Sequence, residues 1–118
     1  MYGLPATFDA SVLVGKELDE VCFTVNTITF SFKEDVLITV MGSFIHRDKQ
    51  STTINKQSVP VSSSSLMSLV GKAVQLAEAR QDGTLSLHFE AGHTLVLLDD
   101  SQEYESYIIR IGDEETIV

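Results

Sequence analysis

The chain has 118 residues, of which 43% are hydrophobic, and 17 acidic against 8 basic side chains give a formal charge of -9. That length argues for one domain spanning 1–118, and that charge opposes binding of bare DNA or RNA and favours basic partners. A single cysteine excludes an intramolecular disulfide, and no apolar run approaches the ~18–20 residues of a membrane helix. With no basic start followed by an apolar stretch, the sequence reads as a cytoplasmic protein without an export signal.

In chain order, the first feature is an internal repeat. Leu13-Val14-Gly15-Lys16 returns as Leu69-Val70-Gly71-Lys72, a spacing that fits a duplicated supersecondary unit. Asp9 to Val14 and Ser64 to Val70 each read as a short helix behind a capping side chain, with Gly15 and Gly71 placed to end them in a left-handed conformation. Strands follow in each copy: Leu18 to Val25 and Val74 to Gln81, then Ile28-Phe30-Phe32 and Leu85-Leu87-Phe89 with strict alternation, then Val36 to Met41 and Thr94 to Leu98. Asn26-Thr27 joins the first pair of strands, and Asp82-Gly83 predicts a type I′ hairpin in the second. Asp35 and Gly92 stand at turn positions suited to positive φ.

The first half extends through Ser43-Phe44-Ile45-His46, with Gly42 a candidate bulge. The halves, about 9–48 and 64–118, are separated by a polar linker, 50–63, with room for a short edge strand. Four consecutive serines, Ser62 to Ser65, read as loop and helix cap. The chain closes with Tyr107, Ile109 and Ile111 on one face, a turn at Gly112-Asp113, and Ile117-Val118. The expected architecture is α+β: a mostly antiparallel sheet built from two tandem helix-strand-strand-strand units with a pseudo-twofold relation, in which Phe30 and Phe32 meet Leu87 and Phe89.

Candidate chemistry is sparse. Cys22 lies between Val21 and Phe23 in a strand, where a small packed residue is the ordinary role. His46, His88 and His93 lack zinc-site spacings and read as solvated, although strand pairing could bring His88 toward His93. The acidic stretch from Asp99 fails the EF-hand pattern, because Tyr104 stands where glycine is needed. No phosphate-binding glycine loop or serine-hydrolase elbow is present. These readings give no catalytic residue, no metal and no cofactor, and so a protein that is not an enzyme.

Charge asymmetry carries more content. From Asp99 to Val118 there are seven acidic residues against Arg110 alone, and Asp99, Asp100, Glu103, Tyr104, Glu105, Asp113, Glu114 and Glu115 form the candidate partner-binding surface. Two acidic turns flanking a tyrosine-bearing strand would dock a basic protein, with Tyr104 and Tyr107 as anchors. Replacing Asp99, Asp100, Glu103 and Glu105 by serine should then weaken binding and leave folding intact. The plainer role of such a rim is solubility and protection of sheet edges.

The Leu-Val-Gly-Lys units, the paired hairpins and the closing Glu105-Ser106-Tyr107-Ile108-Ile109 with Gly112 together resemble a family of small bacterial proteins of unknown function, from about Ser11 to the end. In style the chain also resembles immunity proteins, which neutralise toxins delivered between bacteria. That likeness implies a stoichiometric inhibitor covering the active site of a basic toxin domain. Two other classes stand beside it: a small-ligand-binding or enzymatic domain with a cleft between the halves, into which His46, His88 or Cys22 would open, and a structural homodimer subunit joined through sheet edges.

Overall fold

A computed structural model describes residues 3–49, 56–59, 64–101 and 104–118. Ten strands run through them: β1 (Leu18–Phe23), β2 (Ile28–Phe32), β3 (Val36–Val40), β4 (Ser43–Arg47), β5 (Lys56–Ser58), β6 (Val74–Ala79), β7 (Leu85–Phe89), β8 (Thr94–Leu97), β9 (Tyr107–Ile111) and β10 (Glu114–Ile117). They form two antiparallel sheets of five, ordered β1-β2-β3-β9-β10 and β5-β4-β8-β7-β6. Alternating residues of β2, β3 and β7 are buried, as a strand with one face on a core requires. No helix among the described residues is long and apolar enough to cross a membrane.

The class is therefore all-β, and the α+β expectation is corrected. The segments read as helices are single 3₁₀ turns of four residues, Ala10–Leu13 and Leu66–Leu69. Each is stopped at once because the next residue, Val14 or Val70, is already extended. The following backbone is then consumed by pairing between the two copies. Gly15 N–H donates to the Val74 carbonyl at 2.7 Å and Gly71 N–H to that of Leu18 at 2.7 Å, while Leu18 and Val74 donate to Lys72 and Lys16 at 2.9 and 3.0 Å. Both glycines sit at positive φ, 86° and 89°, where a side chain would be strained. A second helical turn would remove this reciprocal clasp.

The copies themselves match register for register. Each opens with a bulged edge strand, between Leu18 and Glu20 or Val74 and Leu76, paired to a regular second strand. The fourth strands are exchanged: β4 crosses to pair with β8 of the other copy, and β9 crosses to pair with β3. The two crossing points are equivalent, with Met41 N–H donating to Ser106 O at 2.9 Å and Leu98 N–H to Ser43 O at 3.1 Å. Ser43 and Ser106 are the buried polar residues among those described. Ser106 Oγ donates to Asp99 at 2.9 Å and Ser43 Oγ shares a bond with Ser58 Oγ at 2.9 Å, so neither hydroxyl is left unsatisfied.

Because each copy contributes a strand to the other's sheet, buried side chains of both sheets form one apolar cluster. Phe30, Phe32, Leu87 and Phe89 all belong to it, and the rings of Phe32 and Phe89 stack with centroids 6.3 Å apart. The turn at Asp82-Gly83 differs from the predicted type I′. Gly83 alone is left-handed there and bonds Arg80 O at 3.0 Å, the three-residue hairpin with a bulged glycine. The type I′ pattern occurs instead at Glu34 and Asp35, with φ of 65° and 66°.

Tyr107 fixes that bulged turn from within. Its buried hydroxyl donates to Gly83 O at 2.6 Å, and burial, aided by the charge of Asp82, pushes the phenol far above its usual range. Tyr107→Phe leaves the Gly83 carbonyl without its donor in a site where water has no ready access. The expected loss is about 1–3 kcal/mol in urea unfolding with an unchanged denaturant slope.

Candidate functional site

The exchange of strands creates two equivalent corners, one at the rim of each sheet, and the copies have filled them differently. In the first, the inner face of β9 and β10 is partly covered by the segment leading into the first 3₁₀ turn. Between them lies an open groove with an apolar floor of Pro5, Phe8, Val12, Ile109 and Ile111, with Thr7 and Thr116 along it and two carboxylates, Asp9 and Glu114, at its wall. Glu114 comes from β10 and is exposed, with Asp113 beside it in the turn and Asp35 bonded through its carbonyl to Gly112 N–H at 3.0 Å. Asp9 caps Ser11 N–H at 3.0 Å, and its bonds to the Ser11 hydroxyl and N–H hold its carboxyl below the usual range.

In the second corner the equivalent positions are polar. His46 lies opposite Leu95 as Ile109 lies opposite Ile38, and His93 meets Phe89 as Val36 meets Phe32. Ser65 opens the second 3₁₀ turn as Asp9 opens the first. His46 Nδ1 lies 2.6 Å from Ser65 Oγ, and its Nε2 lies 3.0 Å from His93 Nδ1. The two rings are 12° from parallel with centroids 5.2 Å apart. With facing nitrogens so close, that separation fits rings joined edge to edge through one N–H···N bond, not laid face to face.

Burial, and then the neighbouring His93, lower the His46 pKa, with Asp48 acting in opposition. The folded protein thus favours neutral His46 more than the unfolded chain does. Its contribution to stability is complete above the unfolded value of about 6.5 and is lost as pH falls through the lower folded value. Urea midpoints measured downward from neutral pH should decline in the wild type more steeply than in His46→Leu. An equal slope in both would show that His46 is not the group responsible.

The predicted acidic surface divides. Asp99 is half-buried and accepts Gly3 N–H at 2.7 Å and Ser106 Oγ at 2.9 Å, so it serves the fold. Asp100 pairs with Lys56 at 2.8 Å; burial opposes its ionisation, but bonds from Lys56 and Ser43 outweigh that and keep its carboxyl below the usual range. Glu103 lies outside the described residues. Tyr104 is 51% exposed and lines a second apolar hollow with Val25, Met41 and Val59, next to the half-buried Glu105. Asp113, Glu114 and Glu115 sit beyond the other end of β9, with Glu115 3.7 Å from Arg110. Tyr107 is fully buried and offers no anchor.

Cys22 is exposed on the edge strand β1. His88 is turned to the outer face of its sheet, 2.9 Å from Glu78 and 3.4 Å from Thr94, away from His93. No group of three His, Cys, Asp or Glu suited to a metal occurs among the described residues. The Ser65–His46–His93 chain escapes sequence reading because its members come from three elements with no local spacing; the repeat would have flagged it only through the exchange of His46 for Ile109.

Fold and corners together define a duplicated, strand-exchanged β-sandwich with one acidic apolar groove and one polar relay. The chain belongs to the "Family of unknown function (DUF6188)", whose model matches residues 10–118. The relay lies within that span, while Pro5 to Asp9 of the groove precede it. No curated protein and no solved structure matches the chain.

Proposed function

We propose that this protein is a protein-binding module that holds a basic segment of a partner in the groove between Pro5–Val12 and the β9–β10 hairpin. In its most concrete form it is an immunity-type inhibitor that covers a basic toxin domain. The observation that carries the reading is the combination in one groove of accessible apolar side chains, Pro5, Phe8, Val12 and Ile111, with carboxylates at its wall and turn, Asp9, Glu114 and Asp113. Apolar side chains supply the area that holds a partner, and the acidic rim selects for lysine or arginine on either side of the anchor.

The groove is favoured over the hollow beside Tyr104 because charge there is already partly cancelled by the Lys56–Asp100 pair. A formal charge of -9 adds a long-range attraction to the same class of partner. The test is binding of a fluorescent peptide with arginines flanking a central leucine or phenylalanine, measured at low and high salt. Saturable binding that weakens with salt and is lost when the arginines become glutamates supports the proposal. Equal binding of both peptides, or of neither, removes it.

A further inference from the structure

We infer that Ser65, His46 and His93 form a nucleophilic serine site whose substrates are small activated carboxylic esters. Three observations converge on it, and none depends on the groove binding a partner. The first is geometry: a hydroxyl within 2.6 Å of a ring nitrogen whose opposite nitrogen is held at 3.0 Å by a third group. That is the arrangement of nucleophile, base and orienting residue. If Ser65 donates to Nδ1, then His46 must carry its proton on Nε2 and donate to His93, because a neutral imidazole has one N–H.

The second concerns what the hydroxyl is not used for. Ser65 occupies the capping position of the turn Leu66–Leu69 but makes no side-chain cap bond. The preceding Ser64 does that work instead, accepting Leu66 N–H at 2.9 Å. In the first copy the capping residue, Asp9, bonds its own turn. The third is the cost of the exchange. Ile109 and Val36 fill the equivalent corner as ordinary core, 1% and 2% exposed. Half-buried imidazoles in their place forfeit apolar burial and must be satisfied by one another, a change that packing alone does not call for. Ser65 remains exposed, open to a reagent from solvent.

In the reaction, Ser65 Oγ bonds to the ester carbonyl carbon while its proton passes to His46 Nδ1, and the imidazolium so formed keeps its Nε2 proton in the hydrogen bond to His93 Nδ1. Collapse of the tetrahedral adduct breaks the carbonyl carbon–oxygen bond. The departing alkoxide takes the Nδ1 proton from His46, which returns to the neutral form. Water then attacks acyl-Ser65, giving its proton to His46, and the acid leaves as Ser65 recovers its hydrogen. His46, through its nearness to the reacting oxygen, is the catalytic base. His93 is a positioning residue, and Asp48 favours the transient positive charge.

The experiment treats the full chain with 4-nitrophenyl acetate and with a fluorophosphonate probe, and locates adducts by peptide mass spectrometry. The expected adduct is on Ser65 and not on Ser64 or Ser68. His46→Gln, shown folded by its thermal transition, should slow labelling by about 10²–10⁴-fold. His93→Ala should slow it less and shift the pH dependence of the labelling rate, with partial recovery in His93→Gln. Ser64→Ala loses the cap but should still be labelled at Ser65. Equal labelling of Ser64, Ser65 and Ser68, or labelling of Ser65 at the wild-type rate in folded His46→Gln, would overturn the assignment.

Discussion

Phe30→Ala is expected to destabilise the protein by about 3–5 kcal/mol, the usual cost of emptying a fully buried phenylalanine site. Phe30 is 0% exposed, stands opposite Val21 on one side and Ile38 on the other, and belongs to the cluster that both sheets share. Against a total stability of about 5–15 kcal/mol for a domain, this loss leaves little reserve. Val25, 75% exposed in the first hairpin loop, is the control: its replacement by alanine should stay within about 0.5 kcal/mol. Amide exchange adds a sharper readout. Since β4 and β9 tie each copy to the other's sheet, Phe30→Ala should reduce protection at Leu87 and Leu97 as much as at Ile38. Loss confined to β1, β2 and β3 would mean that the halves open independently.

The second large effect is on binding. Asp113 and Glu114 are exposed and have no described role in the core, so Asp113→Lys with Glu114→Lys should leave the urea midpoint nearly unchanged. For an arginine-bearing peptide, the same change replaces attraction by like-charge contact, which costs several kcal/mol. Dissociation constants should rise by about two orders of magnitude or more at low salt, since each 1.4 kcal/mol is tenfold. Asp100→Ser, which breaks the Lys56 pair outside the groove, should leave affinity near the wild-type value. If Asp100→Ser proves the stronger variant, the partner sits at the Tyr104 end.

These outcomes also mark where sequence reading succeeds and where it stops. Strict alternation in Ile28–Phe32 and Leu85–Phe89 exposes the inner strands, because a half-buried strand can hardly be written otherwise. The recurrence of Leu-Val-Gly-Lys exposes the duplication. A capping residue, four residues of which three are apolar, and a glycine soon after, however, announce a 3₁₀ turn as readily as a helix, for a single turn is too short to display a period. Nothing local to Val40–Ser43 signals that β4 leaves its own copy, and this crossing is what brings His46 to His93 and Ser65.

The acidic tail misleads for a related reason. Residues 99–105 and 113–115 are neighbours in sequence, yet β9 separates them, and Asp99 is held by Gly3 and Ser106. The fourfold serine replacement of Asp99, Asp100, Glu103 and Glu105, chosen from sequence as a harmless binding knock-out, would strip both donors of their acceptor. It should lower stability instead of testing the groove.

The most direct test of the groove is amide NMR of the labelled protein titrated with the arginine-flanked peptide. Shifts are expected to centre on Phe8, Val12, Ile111 and Thr116, to fade as salt is raised and to be absent with the glutamate peptide. Shifts centred on Val25, Met41 and Tyr104, or spread evenly over the surface, would contradict it.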